Sequence, residues 1–149
     1  MEAWEAEVRA IPAAQALSRL ALRNGLPRLL EVVANLMRQT PAAVGPALGP
    51  IPDSHALERL GEGFNLRQVV TEYRLLRTCV LRLWTARGES SPRPEEERVF
   101  HEAMDEAVAA SVSRYTRARE RTLQALDRIS TAALGSADVA GFLPRLLQV

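Results

Sequence analysis

Apolar residues recur at three- and four-residue spacing along most of this chain, and proline and glycine crowd the gaps between the stripes. That period marks amphipathic helices rather than strands, whose side chains alternate every second residue. Trp4, Val8 and Ile11 make a first short stripe that Pro12 interrupts, and Leu17, Leu20 and Ala21 make a second. After the Asn24-Gly25 break, Pro27 suits the first turn of a helix carrying Leu26, Leu29, Leu30, Val33, Leu36 and Met37, with its end expected near Thr40. The prolines and glycines from Pro41 to Pro52 predict a surface loop, because proline supplies no backbone donor. Asp53 and Ser54 are N-cap residue types for a short helix through Leu57 and Leu60, closed by Gly61 and Gly63.

Two long helices follow. Asn65 is placed to cap the first, in which Leu66, Val69, Val70, Tyr73, Leu76, Val80, Leu83 and Trp84 form one stripe up to Gly88. Glu89 to Pro94 reads as a second loop, and Pro94 with Glu95, Glu96 and Glu97 as a helix start, since carboxylates favour the positive end of the helix dipole. From about Pro94 to Leu134 there is no internal proline or glycine, a length beyond what one small bundle needs. Val108, Val112, Tyr115, Arg119, Thr122, Leu126, Ile129 and Ala133 can be written as a heptad-like series with a polar middle. A single bundle does not bury all of its apolar members, so a homodimer through this helix is expected. After Gly135, Ser136 and Asp138 can cap another apolar helix, within which the sequence stops at Val149. The chain therefore reads as a fragment of a longer protein.

Composition narrows the class. Of the 149 residues, 47% are hydrophobic but only 5% aromatic, and with Ala and Leu dominant the expected fold is all-α. A formal charge of +1 gives no reason to expect a nucleic-acid or polybasic membrane surface. No apolar run reaches the roughly 20 residues of a membrane span, and the acidic N-terminus is unlike a signal peptide, so a cytoplasmic protein is expected. All 19 basic residues are Arg, which fits GC-rich coding and a bacterial source. The single cysteine, Cys79, excludes an intrachain disulfide framework and reads as a small buried hydrophobe.

No catalytic or metal constellation emerges. His101-Glu102 has Asp105 where a two-histidine zinc helix needs its second ligand. A di-iron helix would need Glu where Arg98 stands, and Asp105 also departs from a histidine-kinase phosphoacceptor pattern. A haem site on His55 or His101 would resemble a globin sensor, but the low aromatic content does not suggest a porphyrin pocket, and no cofactor is expected. The feature that stands out is polar residues within apolar stripes. Glu72 has no cation three or four residues away, and Arg77 has no acid there. His55, Glu72, Tyr73, Arg77 and Asp105 are accordingly the candidate polar network or ligand site. Glu72, Arg77 and Asp105 are expected to join beneath the apolar stripe and fix the register of the two long helices.

The stretch from His55 to Gly63, HALERLGEG, continued by FNLRQVVTEYRLLR to Arg77, resembles the N-terminal sensor domain of the RsbR/RsbRD type. Phe100 to Tyr115, FHEAMDEAVAASVSRY, is similar to the last helix of that domain, and the likeness covers most of residues 13 to 125. Residues from Ala125 on are similar to the entry helix of a GAF domain. The resemblance implies an input domain over 1–125, packed as a helical bundle or a non-haem globin-like fold, then a linker helix and the start of a truncated GAF domain over 126–149. It implies a non-catalytic signal-input and dimerisation domain of a bacterial sensor histidine kinase, with GAF and kinase modules downstream in the same chain and an unidentified small ligand or protein as signal. A haem-binding globin-like gas sensor and a protein-binding scaffold of a stress-signalling complex are the alternatives.

Overall fold

A computed structural model describes residues 1–39, 44–86 and 92–134. All regular structure among these residues is helical: α1 (Glu2–Val8), a 3₁₀ turn (Pro12–Ala14), α2 (Arg19–Arg23), α3 (Leu26–Gln39), α4 (Gly45–Leu48), α5 (Ile51–Gly61), α6 (Leu66–Ala86) and α7 (Pro94–Leu134). The fold is all-α. The chain divides into two compact units, Met1–Tyr115 and Thr116–Val149.

Local chemistry explains most of the boundaries. The Ser18 hydroxyl accepts from the Ala21 N–H at 3.1 Å and starts α2. Asn65 and Gln68 cap α6 reciprocally: the Asn65 side chain accepts from the Gln68 N–H at 3.0 Å, and the Gln68 side chain from the Asn65 N–H at 2.8 Å. At α7, Pro94 takes the first helical position while Glu96 reaches back to the Arg93 N–H at 2.9 Å. α5 ends in a left-handed Gly63 at φ 81°, with its N–H bonded to Leu60 O at 3.2 Å and the Phe64 N–H to Arg59 O at 2.9 Å. This hairpin of bonds folds the Phe64 ring back over the Arg59 guanidinium, 4.9 Å away.

The expected surface loop from Pro41 to Pro52 is corrected where it is described. Pro46 lies in the first turn of α4 and Pro52 in the first turn of α5, positions whose N–H groups have no helical partner to lose. α5 therefore begins at Ile51, and Asp53 stands in its first turn rather than at the cap, near the positive end of the dipole. Residues 40–43, and residues 89–91 of the second expected loop, lie outside the described residues, as does the expected GAF entry segment from Gly135 onward; its first residues, Ala125 to Leu134, continue α7 without a break.

In the unit Met1–Tyr115 the core gathers Trp4 and Val8 of α1, Leu26, Leu29 and Val33 of α3, Val69, Tyr73 and Leu76 of α6, and Phe100, Ala103, Met104 and Ala107 of α7. Four residues read as part of the apolar stripes are exposed instead: Leu20, Leu57, Val70 and Leu83. On a helix packed from one side, the apolar stripe is wider than its contact, and its flanks stay in water. Cys79 is buried, and burial pushes its thiol pKa up, as befits a small hydrophobe. No described helix is long and apolar enough to cross a membrane.

Candidate functional site

α5 and α6 bring four polar side chains together inside the unit Met1–Tyr115. His55 and Arg59, one turn apart on α5, share the inner face with Ala56. Across from them stand Glu72 and Tyr73 of α6, and the side chains of His55, Arg59 and Glu72 are all 0% exposed. Arg59 Nε donates to both Glu72 oxygens, at 3.0 and 2.8 Å. Its Nη1 donates to Ala21 O at 3.1 Å and to Glu62 at 2.5 Å, and its Nη2 to Leu22 O at 2.5 Å. The guanidinium thus also closes the carbonyl end of α2, where a cation is favoured. Burial works against its charge, but the bonds and charges of Glu72, then of Glu62, outweigh that and raise its pKa above the ordinary arginine value.

His55 flanks this pair. Its Nε2 lies 3.4 Å from Glu72 Oε2 but out of line for a hydrogen bond, and neither ring nitrogen has a hydrogen-bond partner. The imidazole packs edge-on to Tyr73, with ring centroids 5.2 Å apart. Tyr73 Oη and Ser111 Oγ of α7 are hydrogen-bonded at 2.9 Å, and Ser111 Oγ donates to Pro52 O at 2.9 Å. Burial, against the pull of the Ser111 bond, pushes the Tyr73 phenol up to about 12. Trp4 Nε1 donates to Glu72 O at 3.2 Å, and Tyr115 Oη to Phe64 O at 2.7 Å. α1, α2, α5, α6 and α7 are all tied to this polar interior.

Among the residues singled out in the sequence, the structure brings His55, Glu72 and Tyr73 together and sets Arg77 and Asp105 apart. Arg77 does bond Asp105 across α6 and α7, but their side chains are 31% and 70% exposed. The single network expected beneath the apolar stripe is therefore two separate features. Five residues at roughly 100° each place Glu72 and Arg77 about 140° apart around α6, so the two cannot serve one interior. Arg59 was missed because one arginine among the many surface arginines carries no mark of burial. Its signal is the spacing His55, Ala56, Arg59, which puts it on the inner face of α5, one turn before the glycines that end the helix.

The arrangement is a closed structural core. It offers no open nucleophile, and among the described residues no group of three or more His, Cys, Asp or Glu stands together as a metal site. His101 lies half-exposed on α7, 3.7 Å from Glu97 Oε1.

The model of the RsbT co-antagonist protein RsbRD N-terminal domain matches residues 1–129. The chain belongs to this family. It is therefore a regulatory N-terminal domain of the stress-signalling kind, and the polar interior is the core of an RsbRD N-terminal domain. No curated protein and no solved structure matches the chain.

Proposed function

We propose that the chain is the signal-input and dimerisation domain of a bacterial sensor histidine kinase, non-catalytic itself, with GAF and kinase modules downstream and α7 as its output. The observation that carries this reading is the composition of α7. One uninterrupted helix supplies buried core residues from Val99 to Tyr115 and, from Thr116 on, a solvated surface on which Leu123 and Leu126 are 54% and 55% exposed. Exposed leucines three residues apart on a helix are suited to pairing with a second copy. Biasing the packing of the core would then be read out through the helix that leaves it.

The test has two parts. Light scattering at high micromolar concentration is expected to give a dimer, and a monomer overturns the dimerisation reading. Reading the coding sequence beyond Val149 is expected to show a GAF domain followed by a kinase, and any other output domain overturns the kinase assignment.

The family description favours a second reading, a protein-binding scaffold in a stress-signalling complex, because it names a co-antagonist of RsbT. Binding of purified RsbT to the chain, measured by calorimetry, separates the two. The haem-sensor alternative has less support: His55 is closed in against Glu72 and Tyr73, and neither histidine lines the cavity between α3, α6 and α7. A Soret band in the purified protein would restore it.

A further inference from the structure

The unit Met1–Tyr115 contains a cavity of about 500 Å³ where α3, α6 and the start of α7 converge. Leu30, Val33 and Met37 line one side, Val80 and Trp84 the other, and Phe100 the floor. Trp84 and Phe100 meet edge to face with centroids 4.8 Å apart. A volume of this order, apolar walls and a few polar groups are the usual make-up of a small-molecule site, where roughly 300 to 1,000 Å³ is typical.

Two charged residues border it, and they are not equivalent. Glu96 is already engaged: Arg93 Nη2 donates to one of its oxygens at 2.7 Å and the Arg93 N–H to the other at 2.9 Å. Arg38 bonds only the Asn35 side chain on its own helix and forms no ion pair among the described residues. A guanidinium has five N–H donors in a planar fork that fits a carboxylate. Among the described residues, the available charge at this cavity is therefore positive.

We infer that this cavity binds an anionic amphiphile, an apolar body lying against Trp84 and Phe100 with a carboxylate on Arg38. If the chain is an input domain, as proposed above, this is where its signal enters. A bound molecule would bridge α3, α6 and the first turns of α7, so occupancy would set how the output helix seats on the core.

Decanoate, decanol and decylamine titrated into the purified chain test this, with Trp84 fluorescence and calorimetry as readouts. Decanoate is expected to bind saturably at one site, with decanol about tenfold weaker, the usual worth of a charge-assisted hydrogen bond, and decylamine weaker again. Arg38→Gln should weaken decanoate about tenfold and leave decanol unchanged. Ala34→Phe, which fills the cavity from α3, should abolish both. Absence of saturable decanoate binding overturns the inference, as does equal binding of all three probes with no effect of Arg38→Gln. Arg38 is exposed, so that variant keeps the test decisive if Ala34→Phe does not fold. Light scattering on the same samples separates the two claims: a monomer that binds decanoate keeps the site and sinks the dimeric reading, whereas a dimer that does not bind sinks the site alone.

Discussion

Arg59 and Glu72 form an ion pair with no solvent exposure on either side chain, Arg59 Nε donating to both carboxylate oxygens. A charge left alone in that interior would be far more costly than the pair. Glu72→Ala should therefore destabilise the chain by about 3 to 5 kcal/mol in urea unfolding. Arg77→Ala, which breaks a half-exposed pair, should cost under about 1 kcal/mol. A loss at Arg77 equal to that at Glu72 would show that the two are not the separate features described above. An Arg59→Met, Glu72→Leu double variant should recover only part of the stability lost in Glu72→Ala: the buried charge pair is removed together, but Ala21 O, Leu22 O and Glu62 lose the donor that Arg59 supplied.

Tyr73 makes the fold alkali-sensitive. Its phenol is raised from 10.0 to about 12 in the folded state. A raised folded pKa means the associated stability is complete below pH 10 and is lost as pH rises from about 10 to about 12, an amount on the order of 2 to 3 kcal/mol. Urea midpoints at pH 9, 10 and 11 should fall more steeply in the native sequence than in Tyr73→Phe. Parallel curves would show that the phenol titrates alike in both states.

At the acid end one sensitive group is Glu5. Its partial burial favours the neutral form, but Arg23 and Arg19 outweigh this and hold its carboxyl below the ordinary value of 4.5. A lowered folded pKa gives stability that is present above pH 4.5 and disappears as pH falls through the folded value. The melting temperature of Glu5→Gln should therefore lie below that of the native chain at pH 7, and the two should converge under acid and in high salt. A gap that persists in acid would assign the effect to packing.

Leu123→Arg with Leu126→Arg should turn a dimer into a monomer in light scattering while leaving the melting temperature within about 1 kcal/mol equivalent, since surface changes rarely do more. Unaltered mass in a chain that was dimeric would place the interface elsewhere.

The sequence showed α6 and α7 clearly because capping chemistry and the helical period agree there: Asn65 and Pro94 open them where expected, and no proline or glycine interrupts either. It misjudged Pro46 and Pro52 because proline density was read as loop, whereas position within the first turn decides whether a proline breaks anything. Glu72 was legible as a charge in need of a partner, but the partner was not. Two positions on one helix can be compared by spacing, whereas pairing across α5 and α6 depends on a turn at Gly63 whose geometry the residue types only outline.

The Ser111 hydroxyl joins three helices at one point. It is bonded at once to Tyr73 of α6 and to the Pro52 carbonyl at the start of α5, all out of contact with water. A rotation of α7 that moved Ser111 away would break both bonds together and leave the buried Tyr73 phenol without its partner, at about 1 to 3 kcal/mol. One hydroxyl thus sets where α7 sits against both α5 and α6.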